Sequence, residues 1–194
     1  MQRWIIFVVT TLVGLVLDLG TKALAFNHDI SGLVWPHGAE RSSIVVIPGW
    51  FEISLAMNTG AAFSLFRGKF TFFMIISVVA VLALTYFNHI AKKDARLQPF
   101  LLGLVLGGVI GNFWDRVTYE GVRDFIAIHT PPDGFLIFPH YEWPTFNVAD
   151  IWICVGAIAL AWLSWKEETA REAARAAAES AAADSKTGSE SVPA

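Results

Sequence analysis

Four stretches of this chain are apolar enough, for long enough, to cross a lipid bilayer. That leaves few folds open. A span takes about 20 residues of helix, because in hydrocarbon a segment must satisfy its own backbone polar groups. The stretches cover about residues 4–26, 70–91, 97–114 and 148–165, and the second holds no acid and no base stronger than His89. Composition agrees, with 55% hydrophobic residues against 16% charged, where a soluble domain carries about 25% charged. The expected class is membrane all-α, a four-transmembrane-helix bundle. Arg3, the apolar run after it and Ala23-Leu24-Ala25 imitate a cleaved secretory signal. Asp18 and Lys22 fall where such a signal is neutral, so the first stretch is read as a retained span.

Basic residues set the orientation. Arg3 precedes the first span; Lys92, Lys93 and Arg96 fill the short link between the second and third; Lys166, Arg171 and Arg175 follow the fourth. The long connection 27–69 holds only Arg41, Arg67 and Lys69, and the connection after the third span is similarly poor in bases. Both termini are therefore expected in the cytoplasm, with the two long connections facing outward. Phe51 to Asn58 alternates apolar with small or polar residues after the turn signal Pro48-Gly49, which predicts a small extracytoplasmic β element. Residues 61–73 are expected to form a helix along the membrane surface. The Ala-rich segment 166–194 reads as a cytoplasmic helical tail that frays and carries no chemistry. Residues 1–165 form the expected membrane domain.

Ionisable residues inside a membrane cost about 2.5–3.5 kcal/mol on insertion scales and are functional candidates by default. Here they gather at one depth. Asp18 and Lys22 lie in the outer half of the first span, Asn112, Asp115 and Arg116 at the outer end of the third, and Asp150 at the outer start of the fourth. Asn58 and Asp124 belong to the outward connections. Some have plain structural readings. Asp18 and Lys22, four apart, can pair; Arg116 can snorkel toward headgroups. Gly103, Gly107 and Gly111 recur every four residues beside Gly108, a close-packing groove that would hold Asn112 near another span. Trp4, Trp114 and Trp165 read as interfacial anchors. Asn147 can cap the fourth span, with Asp150 three residues on where a carboxylate suits the helix dipole.

Two carboxylates, Asp124 and Asp150, stand 26 positions apart, joined by an outward loop whose ends return to the same face. They can meet, and adjacent carboxyls share a proton and titrate together. Such a pair can activate water and protonate a carbonyl or leaving amine. There is no GxSxG serine; the single cysteine, Cys154, lies within the fourth span; and the five histidines are scattered without HExxH spacing. No metal is expected, and a net charge of -3 argues against nucleic acid. Acid–base peptide hydrolysis is the chemistry these residues support.

The motifs DLGTK, MNTGAAFS, GGVIGNFWDR, GVRDF and FNVAD, in this order relative to four spans, resemble those of the bacterial lipoprotein signal peptidases, the signal peptidase II family, over about residues 10–165. The resemblance implies an aspartyl endopeptidase of the bacterial inner membrane with its active site at the outer face. It would cut prolipoprotein signal peptides on the amino side of a cysteine that carries diacylglyceryl. It implies Asp124 and Asp150 as the catalytic pair. Asp18, Lys22, Asn58, Gly60, Asn112, Asp115, Arg116 and Asn147 would line the site or support the pair. Implied partners are the lipidated substrates, membrane lipid and inhibitors of the globomycin type, with no cofactor and a monomeric enzyme. One departure concerns the loop 126–143, longer than the family leads one to expect, which reads as an irregular lid. A proton or ion transporter would instead spread its polar residues through the bilayer depth, and a scaffold would tolerate loss of either aspartate.

Overall fold

The computed structural model describes residues 1–27, 43–60, 70–131, 134 and 139–189, with side chains as far as residue 179. Two compact units divide at Ala157 and Ile158. Helix α1 spans Gln2–Phe26, α2 Phe70–Ile90, α3 Leu97–Tyr119 and α4 Val148–Ser189. Strands β1 (Ser43–Ile47), β2 (Phe51–Asn58) and β3 (Val122–Ile128) form one antiparallel sheet in the order β1-β2-β3. All four helices are long and apolar enough to cross a membrane. The surface helix expected over 61–73 falls outside the described residues up to 69, and 70–73 form the first turn of α2. Residues 132–133 and 135–138 of the expected lid also lie outside them.

Helix α3 is the most enclosed of the four, and its glycines explain why. A Cβ on Gly103 would stand 2.5 Å from the Phe7 carbonyl oxygen, and one on Gly107 2.8 Å from that of Thr11. One on Gly111 would strike the Asp18 carboxylate. Bare backbone thus lets α1 and α3 lie in direct contact, running parallel. Gly108, on another face, accepts α4: its Cβ would meet the Ala149 carbonyl oxygen at 2.6 Å. Helix α2 runs the opposite way, with Arg3 donating to the Ala91 carbonyl at one end and Arg116 stacked over Phe73 at the other. The third span is longer than its hydropathy suggested. It ends at Glu120, whose left-handed backbone (φ 55°) and N–H bond to the Arg116 carbonyl close the last turn.

The sheet sits where α1 and α3 end and α4 begins. Ala25, Leu55 and Phe125 form a buried cluster there, with Phe26, Ile53, Ile126 and Val148 packed against it. Pro48-Gly49 turns β1 into β2, Gly49 taking φ 76° and the Trp50 N–H returning to the Ile47 carbonyl. Beyond β3 the chain continues as an arm. His129 pairs with Glu142 and Ile126 with Phe146, so the return segment runs antiparallel to β3 and delivers the chain to α4.

Candidate active site

Asn147 and Asp150 begin α4 with a reciprocal cap. The Asp150 N–H donates to Asn147 Oδ1 at 3.1 Å, and the Asn147 N–H donates to Asp150 Oδ2 at 3.1 Å. This capping box holds the carboxylate at the helix N-terminus and orients the Asn147 amide. The nitrogen of that amide, Nδ2, then points at Asp124 Oδ1, 2.6 Å away.

Asp124 is carried by β3, opposite Ala56 of β2. Its second oxygen accepts from Asn58 Nδ2 at 3.0 Å. Asn58 is itself held by a tight turn, its Oδ1 accepting the Gly60 N–H at 3.0 Å. Asn112 of α3 completes the ring, donating from Nδ2 to Asp150 Oδ1 at 2.8 Å while its Oδ1 accepts from Asn147 Nδ2 at 3.2 Å. Both oxygens of both carboxylates are thus engaged by amide N–H groups from β2, α3 and α4. Asp124 is almost wholly buried. Burial, and after it the charge of Asp150, raises its carboxyl to about 7 against the pull of the Asn58 and Asn147 hydrogen bonds.

Beneath the carboxylates lies an ionic layer with no solvent access. Lys22 Nζ donates to Asp18 Oδ2 at 2.8 Å and to Asn112 Oδ1 at 2.9 Å, and lies 3.3 Å from Asp115 Oδ2. Asp18 accepts the Ala149 N–H at 2.9 Å and so fastens the start of α4 to α1. The Asp18–Lys22 pair exists, yet pairing is only part of its role, because the same ammonium fixes which way the Asn112 amide points. Asp115 is turned toward Arg123, whose N–H and guanidinium bind it at 2.8–3.2 Å. Asp115 therefore ties α3 to the sheet. Arg116 donates to the Asn112 carbonyl at 3.2 Å, stacks on Phe73, and acts electrostatically on Asp150 and Asp124. A guanidinium beside the carboxylates is more than a headgroup contact.

All ten residues singled out from the sequence thus fall in this one region. Among the other buried polar residues, Arg123 and Asn88 escaped that reading. Arg123 is buried between Asp115 and the Tyr119 ring, 4.5 Å from its centroid; the sequence around it carries no clear strand pattern. Asn88, near the far end of α2, is fully buried, and neither polar atom of its amide has a hydrogen-bond partner among the described residues. It stood hidden beside His89. Among the described residues no cluster of His, Cys, Asp and Glu is arranged to hold a metal ion.

Comparison with known proteins places the chain among relatives. The profile of the family described as Signal peptidase (SPase) II matches residues 10–166. A lipoprotein signal peptidase of Clostridium tetani is 32% identical over 161 residues, 83% of this chain and 93% of the relative. One from Syntrophotalea carbinolica is 33% identical over 79% of this chain and 92% of its own length. A solved bacterial membrane enzyme superposes with a TM-score of 0.65 at 30% identity, covering 83% of this chain and 88% of that one.

Proposed function

This chain belongs to the signal peptidase II family, and from that premise we propose how its own residues do the family's work. It is an aspartic endopeptidase of a membrane, removing signal peptides from prolipoproteins. Asp124 and Asp150 are the catalytic pair. Asp124 holds the proton, in line with its raised pKa. Asp150 is the base, since its position at a helix N-terminus and its two N–H donors favour an anion. It takes a proton from a water placed between the carboxyls as the oxygen attacks the scissile carbonyl. Asp124 gives its proton to the carbonyl oxygen, forming a neutral diol. The new proton on Asp150 then passes to the leaving amine as the C–N bond breaks, and a hydroxyl proton returns to Asp124. Water is consumed, and both carboxyls end as they began.

Asn58, Asn112 and Asn147 hold the pair, Gly60 fixes Asn58, and Lys22 and Asp18 fix Asn112 and the start of α4. Arg116 offers its free N–H groups to the substrate main chain. The enzyme needs no metal. It lies in the bacterial inner membrane as a monomer with both termini in the cytoplasm. The aspartates sit at the outer surface, where a lipid-modified cysteine also lies, so the acyl chains stay in the bilayer during cleavage. Globomycin-type peptides would compete there. The observation that carries this reading is the shared amide clamp on the two carboxylates. Purified Asp124→Asn and Asp150→Asn variants, given a diacylglyceryl-modified prolipoprotein and followed by gel shift, are each expected to lose cleavage by at least about a thousandfold while remaining folded. Retained turnover in both would sink the assignment.

A further inference from the structure

The arm beyond β3 carries a cavity that the reaction does not use. Its volume is about 300 Å³, and its walls are the mainly apolar Trp50, Ile128, Tyr141, Trp143 and Phe146 together with His129 and Thr130. Tyr141 and Trp143 are about half exposed and lie edge to face, ring centroids 6.1 Å apart. Aromatic side chains left open around a concave, apolar space are what a binding anchor requires.

Two residues of its lining stand close in sequence to the carboxylate pair and its clamp. Ile128 stands four residues beyond Asp124 on the same strand, about 13 Å at a rise of about 3.3 Å per residue. Phe146 immediately precedes Asn147, and its carbonyl accepts the N–H groups of Phe125 and Ile126. A substrate extended past the aspartates covers the same distance in about four residues. An apolar signal sequence suits the bilayer, which leaves the part beyond the cysteine to extend along the arm. The neighbouring cavity, about 540 Å³, is lined by Glu52, His129, His140 and Glu142, groups that favour a polypeptide over an acyl chain.

We infer that this cavity receives an apolar side chain of the prolipoprotein, three to five residues beyond the lipidated cysteine. The inference rests on the peptidase reading above and makes the arm a specificity element.

The test uses the purified full-length enzyme and synthetic diacylglyceryl-modified prolipoprotein peptides. These carry Trp, Ser or Asp at each of the second to sixth positions after the cysteine. The expected result is a KM at least about tenfold lower for Trp than for Ser at one of positions three to five. Trp143→Ser is expected to remove that advantage, and Tyr141→Ser serves in its place if Trp143→Ser does not fold. The exposed tail variant Arg171→Ala should keep the preference. Absence of any preference in the unmodified enzyme overturns the inference, as does a preference that survives Trp143→Ser or its substitute. A KM increase in Trp143→Ser that is equal for Trp, Ser and Asp peptides overturns it as well and assigns the cavity to lipid. Failure of the unmodified enzyme to cleave any of the peptides would instead sink the peptidase reading itself.

Discussion

The Asp124 proton sets the pH dependence of this molecule. Burial and the nearby charge of Asp150 keep it bound until about pH 7, whereas an unfolded chain releases it near 3.8. Between those values the folded state binds more protons. Stability therefore declines as pH rises through that window and levels off above about 7. The unfolding temperature in detergent is expected to drop from pH 4 to pH 7, and Asp124→Asn should reduce that slope. Cleavage should fall above about pH 7 as the acid is lost, which a pH–rate profile reads directly. Asn88 gives a prediction of opposite sense. A buried amide without partners costs about 1–3 kcal/mol, so Asn88→Leu should raise the unfolding temperature and leave cleavage unchanged. The sequence revealed Asp124 because an aspartate beside spans is conspicuous. Asn88 stayed hidden because an uncharged amide in an apolar run resembles any other tolerated polar residue.

At the scale of elements, the contact of α1 with α3 depends on missing side chains. Gly103→Ala and Gly107→Ala place a methyl against backbone carbonyls of α1, which cannot yield as a side chain can. Each is expected to cost about 1–3 kcal/mol in thermal or denaturant unfolding. Gly111→Ala meets the Asp18 carboxylate and should also reduce kcat by disturbing Lys22 and Asn112. Gly20→Ala, with nothing within 4 Å of the added carbon, is the control and should be tolerated. The glycine stripe could be read from its spacing, as could β2, whose alternation matches Phe51–Asn58. β1 and β3 could not. SIVVI and VRDFIAI lack a period of two, because one strand is exposed at most positions and the other is buried at four successive ones. The end of α3 was also hidden. Glu120 terminates the helix with a backbone conformation that glycine usually supplies.

For the molecule as a whole, the gathering of the polar residues into one region was legible before any fold was known, since four successive apolar helices turn sequence position into position along the bundle. How those residues connect was not legible, because hydrogen-bond partners 23 to 131 positions apart leave no periodic trace. The orientation gives a further expectation. In a Cys154→Ser background, Glu142→Cys should react with a membrane-impermeant thiol reagent added to intact cells, and Glu172→Cys should react only after lysis. The reverse pattern would invert the topology. The clamp on the aspartates has one more consequence. Asn58, Asn112 and Asn147 reach the carboxylates from three separate elements, and their amides neither gain nor lose a proton at any pH the enzyme meets. A scaffold of histidines would itself take up and release protons in the range where the carboxyls work. This one has no proton of its own to exchange, so in the proposed reaction the protons move only between water, substrate and the two carboxyls.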